Sequence, residues 1–289
     1  MKKIGFIGTG LMGFPMAKNI LKSGYKLKAF NRSLSKAKAL EEFGAEITMT
    51  LSELVKDSEI IITMLTDDEA IDEVMGSLNF LNYLKPGSIV IDMSSIKPIT
   101  AKKHEKNLSF KKIKYLDAPV SGGTIGAEEG SLAIMIGGEK KVFKEVEDLL
   151  KTMGNPTLVG PVGSGQVSKL ANQIIVGLTI GAVAEAITLC EKAGADPNKM
   201  ISALSGGWAD SKVLQTHGKR MIDKDFSPKG KTSTHLKDMN NILECANTFN
   251  THLPISNLVK EMYKNLVENG HGNKDHSSLY KEIERMNNK

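Results

Sequence analysis

The feature that most constrains the fold is a run of three glycines near the N-terminus. Gly8, Gly10 and Gly13 form a G-x-G-x-x-G motif between a predicted strand, residues 3–7, and a predicted helix, residues 13–23. In that context the loop backbone and the helix N-terminus face an anion such as the pyrophosphate of a dinucleotide. The alternative is a structural glycine turn. Because several βαβ-like repeats follow, the motif favours dinucleotide binding.

Short apolar runs alternate with helical patterns as far as about residue 160. Strands are predicted at 3–7, 26–30, 60–64, 89–92, 114–117 and 133–137, with helices at 13–23, 35–43, 51–55 and 140–153. This alternation is typical of a doubly wound parallel sheet. Residues 166–193 then read as one long interdomain helix, and only helical patterns follow. We predict an α/β, Rossmann-type domain over residues 1–162 and an all-helical domain over 163–289.

Composition excludes several classes of protein. The chain of 289 residues is 40% hydrophobic, 25% charged and 5% aromatic, with a net charge of +5, which is the profile of a globular protein. The charge surplus is too diffuse and the aromatics too few to predict nucleic-acid binding. The apolar stretch 174–189 contains Glu185 and two threonines, so we predict a buried helix too short and too polar to cross a membrane.

The cysteines and histidines give no metal or redox signature. Cys190 and Cys245 stand alone, and the six histidines show no metal-binding spacing, so no metal site is predicted. The first residues resemble a signal peptide only until the glycine motif interrupts them. We therefore expect a cytoplasmic protein that binds small molecules and neither nucleic acid nor a membrane.

The end of the second predicted strand bears on the choice of cofactor. An acidic residue there binds the ribose 2′-hydroxyl of NAD, but this chain has Asn31, Arg32 and Ser33. Neutral donors and a guanidinium suit a 2′-phosphate, which an acid repels. This favours NADP over NAD. The alternative is that Arg32 is a solvated turn residue.

Three further strand ends supply candidate site residues, since ligands of such sheets lie beyond the carboxyl ends of the strands. Met64 and Leu65 can cover a nicotinamide ring, and Ser95 can hydrogen-bond a carboxamide or a substrate. Taken alone, each is more typical of an ordinary loop. The last strand end is followed by Ser121, Gly122 and Gly123, whose backbone N–H groups suit a small carboxylate, although a plain glycine turn explains them as well.

The long helix carries the residues best suited to proton transfer. Gln166, Lys169 and Asn172 are spaced three apart, and Gln173 follows, so polar side chains flank a lysine on a helix that otherwise reads as interior. Such a lysine can exchange a proton with an oxygen that hydride transfer charges. The alternative is a surface lysine with a buried stem. The segment 235–238, which includes Lys237, reads as a solvated first turn of a later helix.

Taken together, these motifs resemble the β-hydroxyacid dehydrogenases, which include 3-hydroxyisobutyrate dehydrogenase and tartronate semialdehyde and succinic semialdehyde reductases and are related to 6-phosphogluconate dehydrogenase. The resemblance spans nearly the whole chain. It rests on five ordered motifs: 5–19 (GFIGTGLMGFPMAKN), 92–95 (DMSS), 117–123 (DAPVSGG), 163–172 (GSGQVSKLAN) and 237–238 (KD).

The resemblance implies roles for individual residues. Lys169 matches the catalytic lysine of the family, and Asn172 matches an asparagine that holds substrate. Ser121, Gly122 and Gly123 match the carboxylate-binding segment. The glycine motif with Leu11 and Met12, the 2′-phosphate segment 31–33, Ser95 and Lys237 match positions near the cofactor. The family resemblance also implies a homodimer or homotetramer.

The resemblance therefore predicts an NADP-dependent oxidoreductase that interconverts a short β-hydroxy acid and its semialdehyde. The chain departs from the family pattern at Gln173, where a second asparagine is common. It also departs at Gly230, which Lys231 follows, because several semialdehyde reductases have an aromatic residue at the position of Gly230. These departures leave larger or dianionic substrates open. Reduction of imines, oxidation of a sugar acid and a non-catalytic NADP-binding role are the alternatives.

Overall fold

Strands and helices alternate through the first part of the chain. A computed structural model describes residues 2–288. The elements are β1 (Ile4–Ile7), α1 (Gly13–Lys22), β2 (Leu27–Phe30), α2 (Leu34–Lys38), β3 (Glu46–Ile47), α3 (Leu51–Asp57), β4 (Ile60–Thr63), α4 (Asp68–Gly76), α5 (Leu78–Leu81), β5 (Ile89–Asp92), α6 (Pro98–Ser109), β6 (Lys114–Asp117), β7 (Val120–Ser121), α7 (Gly123–Glu129), β8 (Leu132–Gly138), α8 (Lys140–Lys151) and β9 (Gly154–Gly160).

The strands form one sheet, which is parallel over its first six strands. Among the described residues its order is β3-β2-β1-β4-β5-β6-β8-β7, with β9 paired to β8. Strand β8 runs antiparallel to β6 and β7, while β9 is parallel to β8. The chain order reverses between β1 and β4, so the crevice at their carboxyl ends is the ligand position expected for a doubly wound sheet. The predicted fold class is confirmed.

Apolar side chains cover both faces of this sheet. One cluster includes Phe6, Met16 and Ile62, and the other includes Ile7, Leu54 and Ile61. Phe6 and Ile7 are neighbours on β1 and belong to different clusters, as alternation along a strand requires. Burial on both faces explains why β1, β4 and β5, whose residues are all buried, are almost continuously apolar.

The second part of the chain is helical. Its elements are α9 (Ser164–Lys192), α10 (Pro197–Leu204), a π-helix (Leu214–Gly218), α11 (Lys219–Ile222), α12 (Thr232–Thr248), α13 (Pro254–Leu266), a second π-helix (Val267–His271), a 3-10 helix (His276–Ser278) and α14 (Leu279–Asn287). Their buried core includes Ile180, Met239, Tyr263 and Tyr280. The described residues divide into two compact units, of which the first ends at Lys169 and the second begins at Leu170. The predicted boundary, between residues 162 and 163, lies just before α9 begins.

Helix α9 is longer than the apolar stretch that the sequence singled out. Its 29 residues include a window with a mean hydropathy of 1.8, so by length and composition alone it qualifies as a membrane-crossing helix, and 39% of that window is buried. The prediction that this segment is too short and too polar was therefore wrong, because the helix extends to Ser164 and Lys192. A helix at the core of a globular protein meets the same criteria, and Ile180, Ala184 and Ile187 belong to the core of the second unit.

Candidate active site

Each glycine of the G-x-G-x-x-G loop meets a different steric demand. Gly8 has a φ of 96°, and a Cβ there would lie 2.3 Å from the carbonyl oxygen of Met64. A Cβ on Gly13 would lie 1.9 Å from the carbonyl oxygen of Gly8, so only glycine lets α1 pack this closely on β1. A Cβ on Gly10 would have no neighbour within 4 Å. The loop is therefore tight on the protein side and open at Gly10, where a pyrophosphate needs to approach.

The N-terminus of α1 faces this opening. Within residues 2–288, no side chain caps it. Phe14 N–H donates to the carbonyl oxygen of Gly10 and Pro15 has no N–H, so the helix would attract an anion mainly through its dipole. A cavity of about 530 Å³ beside the loop is lined by Gly10 and Leu11 and by three lysines, Lys18, Lys22 and Lys36. These features fit a dinucleotide phosphate: open backbone, an uncapped helix end and nearby positive charge.

Asn31 braces the glycine loop. Its Oδ1 accepts a hydrogen bond of 3.1 Å from the backbone N–H of Thr9, and its Nδ2 donates to the carbonyl oxygen of Ser33 at 2.9 Å. The sequence suggested Asn31 as a donor to a 2′-phosphate, but its donor group is engaged in this brace. Arg32 and Ser33 are exposed beside it and remain the candidate ligands for such a phosphate.

The ends of β4 and β5 are tied together at the sheet edge. The backbone N–H of Leu65 donates to Ser94 Oγ at 2.9 Å, and Met64 and Leu65 are half-buried. Ser95 is half-buried on the adjoining loop. The structure thus brings the glycine loop, Met64, Leu65 and the loop around Ser95 to one edge, as the sequence predicted for strand ends.

A buried carboxylate lies beneath this edge. Asp92 is fully buried, and its Oδ1 accepts hydrogen bonds from Thr63 Oγ1 at 2.9 Å and from the backbone N–H of Ser94 at 3.0 Å. Burial raises the pKa of Asp92 from 3.8 to about 6, although the donors from Ser94 and Thr63 oppose the shift.

This shift makes a prediction for stability. Between about pH 4 and pH 6 the folded chain binds more protons at Asp92 than the unfolded chain, so its contribution to the free energy of unfolding falls as pH rises through that window. We expect Asp92→Asn to match the wild type near pH 4 and to exceed it by about 2 to 3 kcal/mol above pH 6. Urea unfolding at both pH values measures this. Exposed Asp148→Asn is the control, and an equal difference at both pH values would contradict the prediction.

The start of α9 is held by a second buried carboxylate. Asp117, at the end of β6, accepts hydrogen bonds of 2.8 Å from the backbone N–H groups of Gly163 and Gln166. Burial raises the pKa of Asp117, and the donors from Gly163 and Gln166 work against that rise. A Cβ on Gly165 would lie 2.4 Å from the carbonyl oxygen of Met135. The first turn of α9 therefore sits directly against the sheet.

Gln166 connects α9 to the loop that follows β5. Its Oε1 accepts from the backbone N–H of Ile96 at 3.1 Å, and its Nε2 donates to the carbonyl oxygen of Ser94 at 2.8 Å. The side chain is fully buried, as the sequence predicted for this polar residue. Both ends of its amide group are hydrogen-bonded. Lys169 follows three residues later and is half-buried.

The segment proposed to bind a carboxylate forms the turn from β7 into α7. Ser121 pairs with Ala133 of β8, and Gly122 and Gly123 have φ values of 140° and 63°. Both glycines are exposed. Their conformation explains the glycine pair structurally, and their exposure leaves this backbone accessible to a small anion.

In the second unit a series of polar contacts begins at Asn172. Asn172 Nδ2 donates to Gln173 Oε1 at 2.9 Å, and Gln173 Nε2 donates to Asp238 Oδ2 at 2.6 Å. Lys237 Nζ lies 3.5 Å from Asp238 Oδ1. Gln173, which departs from the family pattern, thus links Asn172 to the helix that carries Lys237.

The prediction that residues 235–238 form a solvated turn was wrong for two of them. His235 is 2% exposed and Asp238 is 5% exposed. The turn is covered because Gly177 leaves room for the imidazole, where a Cβ would lie 2.4 Å from His235 Nε2. A small residue that makes room for a distant ring leaves no local sequence pattern.

A histidine cluster in the second unit was also missed by the sequence analysis. His217, Asp275 and His276 bring their ligand atoms within 4.8 Å of one another, a geometry that can hold a metal ion. His217 and Asp275 are far apart in sequence, so no ligand spacing reveals them. Burial, together with the neighbouring rings of His235 and His217, lowers the pKa of His276 to about 3.

The hydrogen bonds of Asp275 give this cluster a structural role. Its Oδ2 accepts from the backbone N–H groups of Lys229 and Gly230, and its Oδ1 from Ser277. Arg220 Nε lies 3.6 Å from Oδ1. Burial alone would raise the pKa of Asp275, but His276 and the hydrogen-bond donors lower it to about 2. With its oxygens occupied and a guanidinium adjacent, Asp275 anchors the loop around Gly230.

Comparison with known proteins identifies the family to which the chain belongs. The family model for the NAD binding domain of 6-phosphogluconate dehydrogenase matches residues 3–168, and the model for the NAD-binding region of NADP-dependent 3-hydroxyisobutyrate dehydrogenase matches residues 163–283. The chain is 42% identical over 288 residues to 2-hydroxy-3-oxopropionate reductase of Escherichia coli K12, covering 99% of this chain and 98% of the relative. The chain belongs to the β-hydroxyacid dehydrogenase family.

Two other β-hydroxyacid dehydrogenases show the breadth of the match. The 2-(hydroxymethyl)glutarate dehydrogenase of Eubacterium barkeri is 33% identical, with 98% of this chain and 95% of that relative covered. The structure of Mycobacterium tuberculosis 3-hydroxyisobutyrate dehydrogenase with L-serine has a TM-score of 0.90 at 25% identity, covering 98% of this chain and 99% of that one. The predicted family is confirmed, and the chain is an oxidoreductase of hydroxy acids with a nicotinamide cofactor.

As a β-hydroxyacid dehydrogenase, the chain has residues that fit a bound dinucleotide. Gly10 and the N-terminus of α1 would hold the pyrophosphate, and Arg32 and Ser33 lie where the ribose end follows. The cofactor supplies or accepts the hydride when bound. The residues that the sequence proposed from this family, from Gly8 to Lys169, all lie in the first unit, whereas Asn172 and Lys237 lie in the second.

Proposed function

We propose that this chain interconverts a short β-hydroxy acid and its semialdehyde with NADP(H), and that Lys169 exchanges the proton. In reduction, the carbonyl carbon accepts a hydride while its oxygen takes a proton from Lys169 Nζ, which leaves an alcohol and a neutral amine that water reprotonates. Oxidation reverses both transfers. A positioned lysine suits this step because it stabilises the developing alkoxide and supplies the proton from one group.

The observation that carries this proposal is the setting of Lys169. The side chain is half-buried on α9, three residues after a fully buried Gln166 that holds the loop around Ser95. A surface lysine needs no such support. The substrate carboxylate is proposed to dock on the accessible backbone of Ser121, Gly122 and Gly123. The roles that the resemblance implies for Asn172 and Lys237 stay predictions.

The names of two relatives support the proposal that the substrate is a small carboxylate. The relative from Escherichia coli is named for 2-hydroxy-3-oxopropionate, and the structure from Mycobacterium tuberculosis contains L-serine. Both molecules are three-carbon carboxylates. The first carries a hydroxyl group and an aldehyde, and the second carries an amino group and a hydroxyl group. We therefore place tartronate semialdehyde first among the proposed substrates, with methylmalonate and succinic semialdehydes and glyoxylate after it.

An assay of NADPH consumption over this panel tests the function. Turnover of one semialdehyde, with the matching aldehyde that lacks a carboxylate far slower, supports both the reaction and the proposed docking segment. NADH in place of NADPH tests the cofactor. Failure to turn over any member of the panel, while NADPH still binds, would exclude the proposed substrate class and leave the fold unaffected.

Arg32 is predicted to select NADPH. Charge-assisted hydrogen bonds to a phosphate are worth about 1.5 to 3 kcal/mol, so Arg32→Ala is expected to raise the KM for NADPH about 10- to 100-fold and to leave the KM for NADH nearly unchanged. Lys26→Ala removes an exposed positive charge at the opposite end of β2 and is the matched control. An equal change in both KM values would count against a 2′-phosphate contact.

We also propose that the chain acts in the cytoplasm as a homodimer or homotetramer. In support of a reducing compartment, the sequence has two cysteines in 289 residues and no C-x-x-C spacing. Helix α9 exposes Val167, Ile175 and Leu189, of which Leu189 is 71% exposed, and apolar side chains on one long helix suit contact with another copy. Light scattering of the purified chain tests the mass, and a monomer at micromolar concentration would refute the oligomer.

A further inference from the structure

The buried side-chain amide of Gln166 is hydrogen-bonded to the backbone of both neighbours of Ser95. The side chain of Gln166 accepts from the backbone N–H of Ile96 and donates to the backbone carbonyl of Ser94, at 3.1 and 2.8 Å. Both ends of the amide are thus satisfied and none of the side chain is exposed. Because the two bonds run in opposite directions, they fix the distance and also the rotation of the loop relative to α9.

The buried carboxylate of Asp117, the last residue of β6, is hydrogen-bonded to the same turn of α9. Asp117 accepts from the backbone N–H groups of Gly163 and Gln166. An anion at this position is favoured because the N-terminal N–H groups of a helix point toward it. Asp117 also begins the segment that reaches Ser121 four residues later. The turn is therefore fixed to the ends of both β5 and β6.

Lys169 lies one turn further along α9 than Gln166 and is held by the same anchors. It follows Gln166 by three residues, so the two side chains occupy the same side of α9. The hydrogen bonds of an α-helix make its first turns move as a unit. The anchors therefore place Lys169 relative to the loop of Ser95 and the segment of Ser121, and all of these residues belong to the first unit.

We propose that Gln166 and Asp117 are positioning residues, which set the proton-exchanging Lys169 in register with the cofactor loop and the carboxylate-binding segment. This inference rests on the proposed function. The two side chains touch neither substrate nor cofactor in this scheme. They act through α9, and an apolar side chain of equal volume cannot replace them, because Ser94 and Ile96 would keep buried, unpaired backbone groups.

The first test is Gln166→Met, which retains the volume and removes both hydrogen bonds. A misplacement of a catalytic group by about 1 Å costs about 100-fold, so we expect kcat to fall about 10- to 100-fold while the KM for NADPH stays within about twofold. Ser58→Ala is the matched control, because it removes a buried hydrogen bond, 2.6 Å to the carbonyl of Leu54, elsewhere in the first unit. It should leave kcat unchanged.

The second test, Gln166→Glu, separates positioning from simple loss of packing. A protonated glutamic acid can still accept from the N–H of Ile96 and donate to the carbonyl oxygen of Ser94, as the amide does. An ionised glutamate has no proton to donate to Ser94. Burial favours the protonated form. We expect kcat relative to the wild type to recover as pH falls from about 8 to about 5.5, with the folded fraction followed by circular dichroism. The titratable groups around this site are Asp92 on β5, Asp117 on β6, Lys102 on α6 beside Gly163, and Lys169 on α9. Tyr115 on β6 belongs with them because its hydroxyl lies 3.5 Å from Asp92 Oδ2.

A third readout does not depend on turnover. Reductive methylation with a ¹³C label gives each lysine an NMR signal, and Lys169→Arg identifies the one from Lys169. Gln166→Met is expected to shift that signal, and Ser58→Ala to leave it in place. If the wild type reduces no acid of the panel, the proposed function fails and this shift still tests the anchoring. A folded Gln166→Met protein with wild-type kcat and an unshifted Lys169 signal would overturn the inference.

Discussion

Lys169→Ala is expected to lower kcat by about 100- to 10,000-fold while the protein folds and binds NADPH as the wild type does. The reason is that no proton donor remains for the oxygen charged by hydride transfer. Lys169→Arg should stay almost as slow, because a guanidinium keeps the positive charge but does not give up its proton. Charge stabilisation alone would instead restore much of the rate in the arginine variant.

The control for this experiment lies on the same helix. Lys192 is the last residue of α9 and is exposed, so Lys192→Ala removes the same charge and the same side chain far from the cofactor edge. Its kcat should equal that of the wild type. Steady-state kinetics and NADPH titration on all three variants decide the matter. Wild-type turnover by a folded, NADPH-binding Lys169→Ala protein would refute the proposed mechanism.

Gly13→Ala is expected to destabilise the first unit by at least about 3 kcal/mol and to lower its Tm by about 10 °C. The added Cβ would lie 1.9 Å from the carbonyl oxygen of Gly8, and both positions are backbone that cannot rotate away. Helix α1 must therefore move off β1, which also displaces its N-terminus from the pyrophosphate position. Thermal unfolding and NADPH titration measure the two effects.

Gly10→Ala provides the contrast. A Cβ at Gly10 meets nothing within 4 Å, so its Tm should stay within about 2 °C of the wild type. The methyl group would nevertheless occupy the space that a pyrophosphate needs, and NADPH affinity should fall. Equal loss of Tm in both variants would show that the loop is a structural turn only, which is the alternative that the sequence left open.

The central strands of the parallel sheet were predictable because they are buried on both faces. Residues 89–92 and 114–117 were predicted with the bounds that the structure gives, and short apolar runs bounded by turns, such as IVI at the start of β5, are typical of such strands. Strand β9 was missed because its sequence, GNPTLVG, begins like a turn and only Gly154 is fully buried, while the residues after it alternate between exposed and half-buried. Helix α4 was missed because its sequence is acidic and its buried residues are only Ile71 and Met75.

The candidate site was predictable where it follows from topology. Parallel strands end at one edge, so Asn31, Met64 and Ser95 had to lie near the glycine loop whatever their contacts. Which polar groups are already engaged was not predictable. The brace from Asn31 to Thr9 spans 22 residues and the bond from Gln166 to Ile96 spans 70, and neither partner is marked by local spacing. Such pairs depend on backbone groups, which every residue carries.

The placement of Lys169 groups the proposed proton donor with its supports along the sequence. The lysine, its anchors and the glycine loop are all parts of the first compact unit, which ends at that residue. Under the proposed mechanism, everything that sets the position of the proton-exchanging group is therefore encoded in one contiguous stretch of the chain, and substitutions that move this group are expected before Leu170 rather than after it.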